Sequence, residues 1–254
     1  MLLHHWHAEQ STVRLQFARL SGVVDPVNPA AGWQELQLDQ GSLAGAGVLG
    51  IKLPAAETRA AKSNVDFYVR GTDLVATYGE TLEWPLRAQI YWRAAANPLD
   101  RAIASMELIA TVQTSLLDSR PELMTHSTLP ACEAFQLLDP RSADFGPIEP
   151  TPPNSHRNEH PLRAACYLFR LPSNQISYAE MVHPADAQGF SFEARAFGAD
   201  QGFQLRHQLF SERLEKGVIL RARVLGVWLD REGDQAAAAR HYAAFSASEP
   251  LLTT

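Results

Sequence analysis

The stretch "LRAQIYWR", residues 86–93, alternates without a fault. Leu86, Ala88, Ile90 and Trp92 fall on one side of an extended chain, and Arg87, Gln89, Tyr91 and Arg93 on the other. A helix would scatter both sets around its axis, so a half-buried strand is the reading that keeps every apolar residue together. The same period recurs on both sides of this stretch. "VDFYVRGTDLVATYG" (65–79) reads as two strands around Gly71, with a tight turn from Arg70 to Asp73. "IASMELIATVQTSLL" (103–117) places Ala104, Met106, Leu108, Ala110, Val112 and Leu116 on one face and Ser105, Glu107, Thr111, Gln113 and Ser115 on the other, a long antiparallel strand with one wet side.

The second half follows the same style. "RAACYLFRLPSNQISYAEMVHP" (163–184) is two strands around Pro172, Ser173 and Asn174, and "FSFEARAFGADQGFQLRHQLF" (190–210) is two more around Gly198 to Gly202. "GVILRARVLGVWLD" (217–230) begins half exposed and ends apolar on both sides. One helix is expected, Gln235 to Phe245 with Asp234 as its cap, where Ala238, Tyr242 and Phe245 form a stripe that can dock on a sheet. A short helical turn is expected in "PACEAFQLL" (130–138). Residues 139–161 carry six prolines and read as a loop between the two halves, lying across the protein. About a dozen strands at hairpin spacing predict an all-β fold, a large antiparallel sandwich over residues 1–254 as a single domain, with one short C-terminal α-helix.

That strand number, the long strands and the sheet face rich in Arg, Gln, Glu and Tyr together resemble the two-sheet supersandwich of galactose mutarotases and their relatives. The resemblance is one of architecture and matches no family motif, so it implies a fold and transfers no catalytic residue.

Composition narrows the function classes. The 254 residues are 46% hydrophobic and 20% charged, which is globular, and the net charge of −6 gives no general attraction to nucleic acid or to an anionic membrane. No stretch approaches the roughly 18 apolar residues of a spanning helix, and "MLLHHWHAEQ" lacks the regions of a secretory leader. A soluble cytoplasmic protein is expected. Cys132 and Cys166 form no CxxC pair and read as small core residues. GxGxxG, GxxxxGK[ST] and GxSxG are absent, and glycine-rich "GSLAGAGVLG" (41–50) reads as close strand packing or a turn. His4, His5 and His7, and His156 with His160 around Glu159, lie near a terminus and in the proline-rich segment, where ligands are poorly oriented. No metal and no cofactor is expected.

Two constellations carry chemistry. Arg87, Gln89, Tyr91, Arg93 and Glu107, extended by Arg221 and Arg223, offer forked donors beside an aromatic plane, suited to a carbohydrate or small anionic ligand. The competing reading is a solvated face laced with weak charge pairs, in which Arg221 and Arg223 meet a carboxylate such as Glu107 or Glu193. The second constellation is acid–base: Glu180 and His183 in one strand, on opposite faces, and His207 with Glu212 near a strand end. Recognition of a carbohydrate or polyhydroxylated anion is the first functional expectation. A mutarotase-like isomerase using His/Glu proton transfer is the second, and an assembly protein using the polar face as an interface is the third. Neither ligand identity nor oligomeric state is legible.

Overall fold

The computed structural model describes residues 5–9, 11–39, 41–53, 65–95, 102–150, 157–158, 164–172, 175–197, 200–210 and 212–249. Among them the chain forms β1 (His5–Glu9), β2 (Thr12–Gln16), β3 (Leu20–Val24), a 3₁₀ turn (Pro29–Ala31), β4 (Trp33–Leu38), β5 (Gly41–Ser42) and β6 (Gly47–Lys52). Next come β7 (Val65–Arg70), β8 (Asp73–Tyr78), β9 (Leu86–Ala94), β10 (Ala102–Thr114), β11 (Met124–Pro130), β12 (Glu133–Asp139) and β13 (Asp144–Pro147). The chain continues with β14 (Arg157–Asn158), β15 (Cys166–Arg170), β16 (Ile176–Val182), β17 (Gly189–Phe197), β18 (Asp200–Gln208), β19 (Ile219–Asp230) and helix α1 (Asp234–Ser246).

Two antiparallel sheets result. The ten-stranded sheet runs β1-β2-β3-β4-β6-β11-β18-β17-β14, with β5 paired to β4, and the nine-stranded sheet runs β13-β12-β15-β16-β19-β10-β9-β8-β7. Each sheet joins a block of strands from the first half of the chain to a block from the second, β11 beside β18 in one and β10 beside β19 in the other, so neither half closes a core alone. The alternation of "LRAQIYWR" is realised in full: Leu86, Ala88, Ile90 and Trp92 are buried in a core shared with Val13, Leu15 and Trp33 of the facing sheet. Helix α1 covers the other side of the nine-stranded sheet, where Ala238, Tyr242 and Phe245 pack with Cys166, Leu168, Met181 and Val227.

Several expectations are corrected. The residues read as a helical turn after Pro130 form strand β12, because pairing with β13 and β15 outweighs a weak local helical preference. The proline-rich segment holds β13 and the short β14, Pro147 sitting at a strand end on the sheet edge; residues 151–156 and 159–163 lie outside the described residues. Cys132 is exposed, at the bend between β11 and β12. Leu116, expected to be buried, lies past the end of β10 and is 42% exposed. Asp234 is the first residue of α1 and not its cap; Gly233, at φ 73°, holds the cap position. Of the turn signals, Ser173, Asn174, Gly198 and Ala199 lie outside the described residues, as do His4, His156 and His160.

Candidate functional site

The outer face of the nine-stranded sheet gathers the polar row read from the sequence. Pairing sets Arg93 between Asp73 and Glu107, Gln89 between Thr77 and Thr111, and Tyr91 opposite Ile109, with Arg221 and Arg223 one strand further on. These groups bond chiefly to one another. Arg93 donates through Nε and Nη2 to the two carboxylate oxygens of Asp73, each at 2.9 Å, and its Nη1 lies 4.0 Å from Glu107. Tyr91 Oη donates to Gln89 at 2.6 Å, Gln89 donates to Thr77 at 3.3 Å, and Arg221 Nε donates to Thr111 at 3.3 Å. Arg87 is exposed. Arg223 runs beneath the end of α1, where it donates to Ser248 and sits 5.1 Å from the centre of the Phe245 ring, 3.8 Å from Glu107.

Burial raises the Glu107 carboxyl above its ordinary pKa, against the pull of Arg223 and Arg93. Burial acts on Asp73 in the same sense, but the paired hydrogen bonds from Arg93 outweigh it and hold that carboxyl low. Glu193 stands on the other sheet and meets neither Arg221 nor Arg223; it bonds Arg206.

The acid–base residues separate. His183 packs edge-on against Phe245 under α1, and burial together with Arg223 lowers its imidazole pKa. Glu212 is exposed in the β18–β19 connection. Glu180 and His207 come together, but inside the sandwich: both are buried, with His207 Nε2 3.2 Å from Glu180 Oε1. Glu180 Oε2 accepts hydrogen bonds from Tyr178 at 2.7 Å and from Ser127 at 2.5 Å. No ligand reaches this pair without opening the sheets.

A cavity of about 600 Å³ opens instead on the outer face of the ten-stranded sheet. Its floor is the end of β6 and the outward residues of β11, its rim is the segment joining β4 to β6, and its wall is the 3₁₀ turn. Gln34, Glu35, Gln37, Ser42, His126 and Thr128 supply the polar lining. The turn can lie this close because β6 carries glycines there: a Cβ on Gly50 would sit 2.2 Å from the Ala30 carbonyl oxygen, and one on Gly47 2.8 Å from that of Ala31. The close-packing expectation for residues 41–50 holds for this reason.

Two β-bulges flank the cavity. Pairing of β3 with β4 slips between Ser21 and Val23, and pairing of β6 with β11 slips between His126 and Thr128. The extra residues are Glu35 and Leu49, each in the left-handed region, at φ 53° and 54°. A side chain held there costs roughly 1–3 kcal/mol, so surrounding contacts must hold it. They do for Leu49: its N–H donates to Ser127 Oγ at 2.9 Å, and its carbonyl accepts from Trp92 Nε1 at 3.0 Å. Bulges re-aim side chains at the rims of sites, and here they set Glu35 and His126 toward one opening.

Beside His126 the pleat aligns Thr128, Gln204, Arg206, Glu193 and Arg195 on the outward side of β11, β18 and β17. Their hydrogen bonds fix one another's orientation. Arg195 donates to Gln204 Oε1 at 2.8 Å, as does Arg206, which also donates to Glu193 at 2.9 Å. Guanidinium groups only donate, so the amide oxygen of Gln204 must face them and its Nε2 must donate to His126 Nε2. That nitrogen therefore carries a lone pair. The ring proton of the neutral imidazole belongs on Nδ1.

Burial lowers the His126 pKa, and the charges of Arg206 and Arg195 lower it further against an opposing effect of Glu180. The imidazole is neutral at pH 7. In a proton NMR titration the His126 midpoint is expected below the ordinary imidazole value of about 6.5. A histidine harder to protonate when folded favours the folded state above that ordinary value. Its contribution is lost progressively as pH falls through about 6.5 toward the lower folded value.

These residues were readable in principle. In "GFQLRHQLF" Phe203, Leu205, His207 and Leu209 alternate as the inner set, which leaves Gln204 and Arg206 outside; "THSTLP" does the same for His126 and Thr128. What no alternation shows is that β11 and β18, 76 residues apart at the contact of Thr128 with Gln204, are neighbours.

Solved structures share this arrangement at low identity. A mutarotase candidate from Salmonella typhimurium, YeaD, superposes with a TM-score of 0.54 and 9% identity, over 90% of this chain and 94% of its own. The Slr1438 protein of Synechocystis gives 0.52 at 9% identity, covering 91% and 96%. A candidate aldose 1-epimerase from Escherichia coli K12 gives 0.51 at 10%, covering 90% and 99%. The fold is the mutarotase-like supersandwich. Identity this low carries the fold alone. No protein-family model matches the chain, and no curated protein matches it. The supersandwich occurs in carbohydrate-active proteins. Among the described residues no helix is long and apolar enough to cross a membrane, and no group of three or more His, Cys, Asp or Glu is placed to hold a metal ion.

Proposed function

We propose that the His126 cleft binds a carbohydrate or a related polyhydroxylated anion. The observation that carries this reading is the set of polar groups gathered at one opening: amides of Gln34 and Gln37, hydroxyls of Ser42 and Thr128, and the His126 ring held in place by Gln204, with two arginines beside them. A polyol hydroxyl donates and accepts at once, and neighbouring strands about 5 Å apart space such groups on the scale of a sugar ring. Arg195 and Arg206 favour a ligand that carries negative charge. The polar face around Arg93, where Arg93, Gln89 and Tyr91 bond their neighbours on the sheet, is the alternative location.

A mutarotase-like reaction at the same place is the second reading. Opening a cyclic hemiacetal needs a base to take the anomeric hydroxyl proton and an acid to protonate the ring oxygen. The depressed pKa of His126 keeps its ring neutral, so that Nε2 would act as the base where the anomeric hydroxyl takes the place of the Gln204 amide, and Glu35 stands on the same cleft.

The test is a thermal-shift screen against mono- and oligosaccharides and uronic acids, repeated in His126→Ala and Arg93→Ala. A ligand at 100 times its Kd stabilises the protein by about 2.7 kcal/mol, a shift of several degrees. The rise is expected in wild type and in Arg93→Ala and is expected to vanish in His126→Ala. Loss in Arg93→Ala alone would move the site to the nine-stranded sheet, and no rise with any sugar would remove the reading. Polarimetry with any ligand found then separates binding from turnover.

A further inference from the structure

Glu180 is a carboxylate with no solvent exposure, and the cleft chemistry described above makes no direct use of it. Its surroundings show what it holds. Oε2 accepts from the hydroxyls of Tyr178, in its own strand, and of Ser127, across the sandwich. Ser127 has one hydroxyl proton and gives it to Glu180, so its oxygen lone pairs face the other way, and there it accepts the N–H of Leu49. Leu49 is the left-handed residue of the β6 bulge. That bulge lies opposite His126 and Thr128, and its flanking glycines seat the carbonyls of Ala30 and Ala31 that wall the cleft.

We infer that Glu180 is a positioning residue of the His126 cleft, acting through Ser127 on the backbone of Leu49. The inference rests on reading that cleft as the ligand site. The carboxylate fixes the direction of the Ser127 hydroxyl; without it the hydroxyl is free to rotate, and the Leu49 N–H loses a well-aimed acceptor in a place water does not reach. Trp92 holds the carbonyl of the same residue from the facing sheet. Both backbone groups of the strained residue are thus clamped by side chains from elsewhere, and the clamp on the N–H side runs back to Glu180. His207 Nε2 lies 3.2 Å from the other oxygen without a hydrogen bond between them, on the β18 side and one residue from Arg206.

The experiment is amide hydrogen exchange and ¹⁵N NMR of the full chain, comparing wild type with Ser127→Ala, Glu180→Ala and Glu180→Gln. In Ser127→Ala the Leu49 amide is expected to exchange about tenfold faster or more, the scale of one buried hydrogen bond, while Leu74 in β8 changes little. The His126 ring ¹⁵N resonances are expected to move with it. Glu180→Ala should reproduce both changes if it folds. Glu180→Gln should restore the wild-type pattern, because an amide oxygen still accepts from Ser127 and Tyr178.

Unchanged Leu49 exchange and unchanged His126 resonances in folded Ser127→Ala would overturn the inference. So would equal acceleration at Leu49 and Leu74, the mark of a global loss of stability. Neither observable needs a ligand. A sugar screen that fails on wild type removes the carbohydrate reading and leaves these results to decide the positioning role separately.

Discussion

Replacing Asp234 by alanine is expected to lower Tm by roughly 6–12 °C, the largest loss foreseen for a single side chain outside the sandwich core. The reason is the number of partners released at once. Arg170 donates to both carboxylate oxygens, at 2.9 and 3.1 Å, Ser177 donates at 2.7 Å and the Gln235 N–H at 2.7 Å. Asp234 is only 2% exposed and sits at the start of α1, where a negative charge also meets the positive end of the helix. Breaking a buried pair by removing one member costs about 3–5 kcal/mol; the partial exposure of Arg170 argues for the lower end, about 3. At about 2–4 °C per kcal/mol for a chain of this size, that gives the stated range.

The pH dependence has a definite sign. Burial pushes the Asp234 carboxyl up, yet the hydrogen bonds from Arg170 and Ser177 overcome it and hold the group below its ordinary value. Its stabilisation is therefore complete above the ordinary carboxylate pKa of about 3.9 and is lost as acid takes the pH through the lower folded value. Thermal melts of wild type and Asp234→Ala should converge in that range and stay apart at neutral pH. A variant that melts within 2 °C of wild type at pH 7, where about 6 °C or more is expected, would show that α1 is held by its apolar face alone.

Gly50→Ala is the second large effect. The added Cβ would stand 2.2 Å from the Ala30 carbonyl oxygen and 3.0 Å from that of His126, and neither atom belongs to a side chain that can rotate aside. The 3₁₀ turn must lift away. Overpacking of this kind costs about 1–3 kcal/mol, and the backbone on both sides argues for the upper end. Gly71→Ala is the fitting comparison: nothing lies within 4 Å of its Cβ, but φ is 60°, so the expected cost is about 1 kcal/mol. The two variants should differ most in ligand response. Gly50→Ala is expected to lose any sugar-dependent shift along with stability, whereas Gly71→Ala, at the tip of the β7–β8 turn, should keep it.

The fold was legible where local pattern and tertiary burial agree. Strands β9 and β10 alternate because one face meets the other sheet, and α1 shows its docking stripe because alanine leaves room for Tyr242 and Phe245 to define it. The weaker reading of β12 failed where sheet pairing, which is non-local, overrode a helical preference within "ACEAFQLL". About a dozen strands were expected and nineteen are described, the excess coming from short ones such as β5 and β14, which pair for two residues each.

The candidate site was less legible for a related reason. Polar residues on one strand reveal a face, but a cleft needs several strands, a turn and two bulges whose positions follow from register. Alternation around Arg93 therefore drew attention to the face whose groups bond to each other. Alternation around His207 was there to read as well. It placed that histidine among Phe203, Leu205 and Leu209, inside the core.

The wall of the cleft is made of main chain, and its rim is made of a connection between strands. The carbonyls of Ala30 and Ala31 resting on Gly47 and Gly50 present the same atoms whatever side chains the turn carries, while Ser42 and Ala44 project from the exposed connection between β4 and β6. Surface connections tolerate insertion and exchange far better than packed backbone does. On the proposed reading, selectivity would vary with the exposed residues Ser42 and Ala44 of this connection, while Leu43 and Ala46, buried in the core beneath it, and the main-chain wall stay fixed.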